Sequence, residues 1–308
     1  MALRIGLDIG GTKTELAALD PEGRECLRRR VPTPHGSYEQ ALAHLAATVL
    51  DAESELGERA SVGIGLPGAV SRASGLVKSA FATPYNGRPL KRDLERLLAR
   101  ELRFENDANC FALSETADGA ACGAGSVFGA ILGTGAGGGL VIDGRVVGGA
   151  NGIGGEWGHN PLPWMEPGEY PGPPCYCGRR GCIEQFVSGP ALAADHERSE
   201  RERLEPAAIA ARAAAGNAGC RRSLARLESR LARAFAHVIN LLDPEIIVVG
   251  GGLSTVARIY ANVPKLWGAF IYSDSVATKL LPAAHGDASG VRGAARLWDA
   301  PAGQGIKP

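Results

Sequence analysis

The sequence predicts an α/β protein of two domains. Its 308 residues are about twice the roughly 150 residues of an average domain, so each half is long enough to bury a core. Strand-like and helix-like segments alternate along the chain, which is typical of an α/β fold. The 43 glycines and seven cysteines cluster in a few short segments, and those segments carry the functional predictions.

The first half of the chain contains the elements of one such domain. Residues 3–19 read as an apolar strand, a glycine-rich turn and a second apolar strand, which together predict a hairpin. An amphipathic helix near 38–56 and a buried strand at 62–66 follow. A polar helix near 89–101 leads to a short strand that ends at Asn106.

The second half repeats this alternation. Residues 127–142 form another strand, turn and strand, which suggests duplicated halves. Apolar residues three and four apart predict a helix over 221–242. An apolar strand at 245–249 and a run of three glycines come before a further helix. Residues 198–222 are rich in Arg, Glu and Ala, which predicts a solvated helical face to which we assign no function.

Charge and hydropathy exclude several functional classes. Lys+Arg and Asp+Glu are equal at 33 each, so no net field attracts a nucleic acid or an anionic membrane surface. No apolar run approaches the roughly 18 residues of a membrane span, and the first residues lead into a strand pattern instead of a signal peptide. We therefore expect a cytoplasmic protein whose partner is a small molecule, without nucleic acid or membrane.

The segment Asp8–Lys13 has the composition of a phosphate-binding turn. The backbone N–H groups of Gly10 and Gly11 carry no obstructing side chains, and the Thr12 hydroxyl can donate to phosphate oxygens. Lys13 adds a positive charge, and Asp8 can hold Mg²⁺ through water. From these six residues alone, the alternative is an ordinary hairpin turn.

Two further glycine clusters extend this prediction. Residues 133–138 match G-x-G-x-x-G, but strand-like residues follow, whereas the dinucleotide motif opens a helix. A P-loop is excluded because no lysine in the sequence follows a glycine. The clusters instead predict a nucleotide held between domains, with a flat purine against the second cluster. Their members are Gly133, Thr134, Gly135, Gly250, Gly251 and Gly252.

Asp107 is the candidate catalytic carboxylate. It follows the strand that ends at Asn106, so it projects from a strand end into the crevice that the sheet opens. Phosphoryl transfer to an alcohol needs an acceptor oriented in line and a group that takes its proton late, and one carboxylate can do this. The alternative is a helix N-cap, a position that Asp also favours.

Three cysteines and one histidine have the composition of a zinc site. Cys175, Cys177 and Cys182 lie close together, and His159 lies upstream across a proline-rich loop. Such a set satisfies tetrahedral Zn²⁺. A disulfide or reduced thiols are the alternatives, and a cytoplasmic location disfavours the disulfide. The other cysteines are expected as small buried hydrophobes: Cys26, Cys110, Cys122 and Cys220.

These motifs resemble those of the ROK family of bacterial sugar kinases, in the actin-like ATPase superfamily. The resemblance runs over nearly the whole chain. It rests on five motifs: Asp8–Lys13, Glu105–Asn109, Gly133–Gly135, Gly155–His159 with Cys175–Glu184, and Gly250–Gly252. Within the family, His159–Met165 and His285–Ala295 look most like bacterial fructokinases (manno(fructo)kinases), with N-acetylglucosamine kinases close behind.

The resemblance implies an α/β fold of the actin-like ATPase (ribonuclease H-like) type, with a nucleotide and sugar cleft between two lobes. The implied domains are residues 1–118 with 289–308, and residues 119–288 with the zinc motif. A helix near 289–299 returns to the first domain. ATP, Mg²⁺ and a structural Zn²⁺ are the implied cofactors, a sugar is the implied substrate, and a homodimer is the implied assembly.

The resemblance also implies roles for individual residues, with Asp107 as the general base. The implied sugar ligands are Asn106, Asp107, Glu156, His159 and Glu184. The implied zinc ligands are His159, Cys175, Cys177 and Cys182. The implied nucleotide-binding residues are Asp8, Gly10, Gly11, Thr12, Lys13, Gly133, Thr134, Gly135, Gly250, Gly251 and Gly252.

The most similar branch implies D-fructose as the substrate, phosphorylated to fructose 6-phosphate. The alternatives are N-acetylglucosamine, glucose or mannose and, in another class, a sugar-sensing ROK regulator without its DNA-binding domain. One segment departs from the family pattern. Phe81 stands where an Asn commonly contacts the sugar, and Pro84 with Tyr85 replaces a Trp-containing stretch. An aromatic wall there would disfavour one hydroxyl or admit a larger substituent.

Overall fold

The structure is a computed structural model that describes residues 3–80 and 83–299. The chain folds into two units. The first contains the chain up to Gly119, Gly139–Gly154 and the chain from Asp287 onward, and the second contains Ala120–Gly138 and Gly155–Gly286. Phe81, the position that departs from the family pattern, lies outside the described residues.

Strands and helices alternate as the sequence predicts. The strands are β1 (Arg4–Ile9), β2 (Lys13–Leu19), β3 (Glu25–Pro32), β4 (Ser61–Leu66), β5 (Ala69–Val70), β6 (Val77–Lys78), β7 (Arg103–Asn106), β8 (Ser126–Leu132), β9 (Ala136–Ile142), β10 (Arg145–Val146), β11 (Ile246–Gly250) and β12 (Lys279–Pro282). The helices are α1 (Tyr38–Leu56), α2 (Leu90–Leu98), α3 (Asp107–Ala117), α4 (Glu184–Val187), α5 (Gly189–Glu200), α6 (Pro206–Ala214), α7 (Ala218–Leu242), α8 (Ala257–Leu266) and α9 (Ser289–Arg296).

The first unit is built on a five-stranded sheet with the order β3-β2-β1-β4-β7. β1 and β2 pair antiparallel with Asp8 opposite Glu15, which confirms the predicted hairpin. β1, β4 and β7 run parallel. Their carboxyl ends therefore lie at one edge of the sheet, which is where α/β proteins bind ligands.

Helix α1 shows how local sequence fixes an element. The Ser37 hydroxyl accepts the backbone N–H of Gln40, and the Gln40 side chain accepts the backbone N–H of Ser37. This capping box begins the helix, and Gly57 ends it with a left-handed φ of 69°. Its buried face includes Leu45 and Val49, which belong to the core of the first unit.

The second unit is built on β8, β11 and β12, which run parallel. They belong to a five-stranded sheet with the order β10-β9-β8-β11-β12. The long helix α7 is the one predicted from apolar spacing, and Leu224, Leu231 and Phe235 on its apolar face are fully or almost fully buried. A short 3₁₀ segment, Gly252–Thr255, separates β11 from α8.

Residues 139–154 group with the first unit, although the domains drawn from the sequence placed them in the second. The reason is a contact that no periodicity reveals. The Asn109 side-chain oxygen on α3 accepts the backbone N–H of Leu140 at 3.2 Å, so the second half of β9 is bonded to the helix that follows β7.

The four cysteines outside the zinc motif do not all meet the expectation of burial. Cys110 and Cys220 are buried as expected, but the expectation is wrong for Cys26 and Cys122, which are exposed on the edge strand β3 and in a turn. Among the described residues, no helix combines the length and the apolar character that crossing a bilayer requires.

Candidate active site

The carboxyl edge of the first sheet brings Asp8, Asn106 and Asp107 to one side of the unit. Asp8 is the fifth residue of β1 and pairs in register with Gly65 of β4. Leu66 of β4 pairs with Asn106, the last residue of β7. Because the three strands are parallel, their ends carry these polar side chains to the same edge.

The Asp8 carboxyl is electrostatically perturbed. Burial raises its pKa first, and the negative charges of Asp107 and Glu15 add to this, so the pKa lies at about 7 instead of 3.8. Lys13 opposes the change without cancelling it. A carboxylate that is desolvated beside another carboxylate is stabilised by a cation, and hard cations such as Mg²⁺ prefer oxygen ligands. The residues present therefore fit a magnesium site.

The glycine turn after β1 is closed by hydrogen bonds. The Gly10 backbone N–H donates to the Lys13 carbonyl at 2.8 Å. Thr33 braces the turn twice, since its hydroxyl donates to the Gly10 carbonyl at 2.8 Å and its backbone N–H donates to the Thr12 carbonyl at 3.0 Å. The side chains of Thr12 and Lys13 are exposed. The turn thus has the fixed backbone and accessible polar groups that a phosphate-binding turn requires.

The N-cap alternative for Asp107 is wrong, because Asn106 is the cap. The Asn106 side-chain oxygen accepts the backbone N–H groups of Ala108 and Asn109 at 2.9 and 3.4 Å. Asp107 is the first helical residue of α3, and its Oδ1 accepts the Ala108 N–H at 2.8 Å. The Asn106 amide also donates to the Gly68 carbonyl at 3.1 Å, so both ends of this side chain already make protein contacts.

Two residues that the sequence analysis did not single out bracket Asp107. The Asn109 side-chain amide donates to Oε1 of Glu105 at 3.0 Å, and the same carboxylate oxygen accepts the Asn106 N–H at 2.9 Å. With the Asn109 bond to Leu140, these contacts fix the junction of β7 and α3. The signal in the sequence was their place in the motif Glu105–Asn109.

In the second unit, Trp157 anchors the short 3₁₀ helix Trp157–His159 that carries His159. Its indole donates to the Gly137 carbonyl at 2.7 Å, and its ring stacks on Phe235 at 5.3 Å between centroids. The two ring nitrogens of His159 face different groups: Nδ1 lies 3.6 Å from Sγ of Cys175, and Nε2 lies 3.0 Å from the Tyr176 hydroxyl.

The four predicted zinc ligands come together. The ligand atoms of His159, Cys175, Cys177 and Cys182 lie within 4.8 Å of one another. Sγ of Cys177 lies 3.6 Å from Sγ of Cys182, far longer than the roughly 2.05 Å of a disulfide. It is close to the roughly 3.8 Å between two thiolates bound at 2.3 Å to one tetrahedral ion. The geometry therefore fits zinc better than a disulfide.

Glu184 connects the cysteine motif to the glycine turn of the same unit. Its Oε2 accepts the Ala136 N–H at 3.0 Å, and a side chain at Gly135 would place its Cβ 2.5 Å from this oxygen. Glu184 is buried, whereas Glu156, which directly precedes the 3₁₀ helix, is exposed. The Tyr176 hydroxyl lies 3.0 Å from Nε2 of His159, and Tyr176 lines the same cavity as Glu184.

A cavity of about 750 Å³ lies in the second unit beside the turn that begins at Gly133. This is within the range of small-molecule sites. Thr134 and Gly252 line it, but Gly250 and Gly251 are not among its lining residues. Gly250 is buried in β11, and Gly251 has a φ of 78° with its Cβ position only 2.6 Å from the Leu132 carbonyl. Gly251 therefore allows the close approach of two backbones beside the cavity.

The opposite wall of this cavity was missed from the sequence. It contains residues from α5, from the segment before α6 and from the start of α6, and those after α5 belong to the region 198–222 to which no function was assigned. They include Glu197, Arg203, Leu204, Glu205 and Pro206. A second cavity of about 550 Å³ shares Thr134 with the first and is also lined by Tyr176 and Glu184. The glycine turn therefore borders both.

Comparison with known proteins decides the family. A model of the ROK family matches residues 4–300. The chain belongs to the ROK family. It is 40% identical over 296 residues to N-acetyl-D-glucosamine kinase of Yersinia pseudotuberculosis, covering 95% of this chain and 97% of that protein.

Solved structures agree with the ROK assignment. A ROK hexokinase from Thermus thermophilus has a TM-score of 0.85 at 31% identity, covering 97% of this chain and all of that one. A ROK glucokinase from Streptomyces griseus, solved with glucose and AMPPNP, has a TM-score of 0.77 at 29% identity, covering 96% and 98%. These comparisons confirm the predicted actin-like α/β fold and an ATP-dependent sugar kinase.

The expectation that fructokinases are the most similar branch is wrong. Relatives at 38–40% identity, such as those of Pectobacterium atrosepticum and Vibrio parahaemolyticus, are N-acetyl-D-glucosamine kinases, the branch that the sequence predictions placed second. The fructokinase interpretation rested on short segments such as His159–Met165, whereas the identity of the relatives extends over nearly the whole chain. Pro84 and Tyr85 mark a departure from the stretch usual in fructokinases, whereas Phe81 departs from the pattern of the family's kinases in general.

Proposed function

We propose that this ROK kinase transfers the γ-phosphoryl group of ATP to a hydroxyl of N-acetylglucosamine. The observation that carries this proposal is the 40% identity to an N-acetylglucosamine kinase across 95% of the chain. In the reaction, the sugar oxygen bonds to the γ-phosphorus, the bond from phosphorus to the β-γ bridging oxygen breaks, ADP leaves, and the hydroxyl proton passes to the protein.

Asp107 is the proposed proton acceptor. It is partly exposed, at the carboxyl ends of the parallel strands β1, β4 and β7, on the first turn of a helix that Asn106 caps. The bonds of Asn106 and Asn109 hold its backbone in place. General-base assistance of this kind contributes roughly 10²–10⁴-fold in rate.

The proposed nucleotide ligands of the first unit are Asp8 and the turn Gly10–Lys13. Backbone N–H groups of the turn other than that of Gly10, which donates to the Lys13 carbonyl, would bind phosphate oxygens together with the Thr12 hydroxyl and the Lys13 ammonium. Asp8 would hold Mg²⁺ through water, and the ion would neutralise charge on the phosphates. The proposed ligands of the second unit are Gly133, Thr134 and Gly135 with Gly250, Gly251 and Gly252, and the cavity of about 750 Å³ would accept the base.

The proposed sugar ligands are those that the family resemblance implies: Asn106, Asp107, Glu156, His159 and Glu184. In the structure, the Tyr176 hydroxyl lies within hydrogen-bonding distance of Nε2 of His159. A neutral imidazole that binds metal through Nδ1 carries its hydrogen on Nε2. That N–H would donate to a sugar hydroxyl in place of Tyr176, whose side chain is 71% exposed and can move outward.

Zinc bound by His159, Cys175, Cys177 and Cys182 would be structural. It would fix the tautomer and the orientation of His159. The backbone N–H of Arg179 lowers the pKa of Cys177, which favours the thiolate that a metal requires. Homodimerisation stays a prediction, which size-exclusion chromatography with light scattering would test.

The substrate is tested by sugar-stimulated ADP release with N-acetylglucosamine, glucose, mannose and fructose. We expect kcat/KM for N-acetylglucosamine to exceed that for each other sugar by at least about tenfold, a difference of roughly 1.4 kcal/mol in transition-state binding. A higher kcat/KM for fructose or glucose would refute the assignment. ADP release that no sugar stimulates would favour a sugar-binding or regulatory protein.

A further inference from the structure

The segment between the zinc ligands, residues 160–181, makes its backbone hydrogen bonds within itself or to the residues next to it, such as that from the Leu162 N–H to the Gly181 carbonyl. We call it the metal loop. Its β-structure is limited to the isolated bridges of Pro161 with Cys182 and of Pro174 with Arg180. His159 precedes this loop, and Cys175 and Cys177 lie within it. The position of the metal ligands therefore depends on what fixes the loop to the rest of the unit.

Glu169, near the middle of the metal loop, is bound by two arginines of α7. Its Oε1 accepts from Nε of Arg230 and from Nη2 of Arg233, both at 2.8 Å. Its Oε2 accepts from Nη1 of Arg233 at 2.6 Å. Arg233 also donates to the Trp164 carbonyl at 2.8 Å, and Oε2 of Glu169 accepts the Glu166 N–H at 3.0 Å. Two guanidinium groups thus bind the loop through both Glu169 and the backbone at Trp164.

These contacts are shielded from water, unlike most ion pairs on protein surfaces. Arg233 is 1% exposed, and the side chains of Glu169 and Arg230 are each 8% exposed. Burial alone would raise the pKa of Glu169, but the hydrogen bonds from Arg233 and Arg230 outweigh it and lower the pKa to about 2. Breaking a buried pair leaves an unpaired charge, so the contacts resist separation more than an exposed pair does.

We propose that Glu169, Arg230 and Arg233 are positioning residues that hold the metal loop on α7 and thereby retain the metal and orient His159. This inference rests on the metal site in the proposed function but not on the identity of the sugar. None of the three is a metal ligand, and all act through the loop. Direct hydrogen-bond partners of metal ligands change metal affinity by roughly 10–100-fold when they are altered, and for residues that act through the loop we expect the lower end of this range.

Asp195 on α5 provides a matched control within the same ion-pair network. Its Oδ1 accepts from Arg230 at 2.9 Å and its Oδ2 accepts from Arg226 at 2.7 Å. Its side chain is also buried, and it shares Arg230 with Glu169. It lies outside the metal loop, however. Asp195→Asn therefore removes one buried carboxylate charge from the network without releasing the loop.

The test compares zinc-loaded wild type, Glu169→Gln and Asp195→Asn. Zinc release to an excess of a chromophoric chelator is followed by absorbance at constant pH, and the thermal midpoint of each protein is recorded. We expect release from Glu169→Gln to be faster than from the wild type by about tenfold or more. We expect the zinc release rate of Asp195→Asn to stay within about twofold of the wild-type rate, even if its thermal midpoint falls as much as that of Glu169→Gln.

A second measurement distinguishes positioning from general destabilisation. In Glu169→Gln, KM for the sugar should rise more than KM for ATP, because the loop supports His159. Equal release rates in Glu169→Gln and wild type would overturn the inference, as would equal acceleration by Asp195→Asn. A wild type that retains no zinc would refute the metal site itself, whereas a different preferred sugar would refute only the substrate assignment. If Glu169→Gln does not fold, Arg233→Lys replaces it and is judged by the same results.

Discussion

Replacing Asp8 with Asn should stabilise the metal-free protein while abolishing its turnover. Asp8 is desolvated beside Asp107 and Glu15, and its pKa of about 7 means that the folded protein resists its ionisation. The unfolded chain releases this proton near the usual pKa of 3.8. As pH rises from 4 to 7, the unfolded state therefore gains stability relative to the folded state, and the wild type loses free energy of unfolding.

The size of this effect follows from the two pKa values. The rise of the Asp8 pKa from 3.8 to about 7 sets an upper limit on the loss of free energy of unfolding. This limit is on the order of 4 kcal/mol and is reached only above pH 7. Because the side chain is partly exposed, solvent lowers this limit, and we expect Asp8→Asn to gain roughly 2–3 kcal/mol at pH 8. At pH 5 the gain should be roughly 1 kcal/mol or less, since most of the loss in the wild type has not yet occurred.

Urea unfolding in EDTA at pH 5, 6, 7 and 8 measures this difference. The control is Asp51→Asn, which removes an exposed carboxylate from α1. Its gain in free energy of unfolding over the wild type should not increase with pH. Kinase activity of Asp8→Asn with Mg²⁺ and ATP should be lost at every pH. A free-energy difference between Asp8→Asn and wild type that stays constant from pH 5 to 8 would refute the assignment of a desolvated carboxylate that neighbouring carboxylates repel.

Three further changes test other parts of the site. Tyr176→Phe frees Nε2 of His159 and should lower KM for the sugar by about two- to fivefold with kcat retained; a raised KM in steady-state assays would show that Tyr176 binds the sugar directly. Gly251→Ala should reduce the free energy of unfolding by roughly 1–3 kcal/mol because of the positive φ of Gly251 and the nearby Leu132 carbonyl. Gly252→Ala should not, because a Cβ at Gly252 meets open space, and equal losses in the two variants would contradict this. Removing zinc with a chelator should weaken sugar binding more than nucleotide binding in calorimetry, and equal losses would count against a role for the metal in the sugar pocket.

The elements that could be predicted from the sequence are those fixed by nearby residues. The capping box at Ser37 and Gln40 and the apolar spacing of α7 locate two helices within a few residues of their observed bounds. The helix predicted near 89–101 already ends at Leu98, because Ala99 adopts a left-handed conformation that its sequence does not announce. The cysteine motif predicts a cluster because its spacing is short and its ligand chemistry is narrow.

The parts that could not be predicted depend on distant contacts. Nothing in the local sequence pairs Glu169 with Arg233, which is 64 residues away. Charge-rich residues near 203–207 gave no sign that they form one wall of a cavity. Both Asn106 and Asp107 suit an N-cap, and only the backbone geometry shows which one caps. The choice between fructose and N-acetylglucosamine rested on short segments, which carry less information than identity over the whole chain.

The most direct test of the central claim is to compare turnover and sugar binding in Asp107→Asn. We predict that kcat falls by at least about 10²-fold, since the alcohol loses its proton acceptor. Calorimetry should show N-acetylglucosamine binding within about threefold of the wild type, because Asn is nearly isosteric and keeps one acceptor oxygen. Retention of more than a few per cent of the wild-type kcat, with sugar bound normally, would contradict the role of Asp107 as the general base.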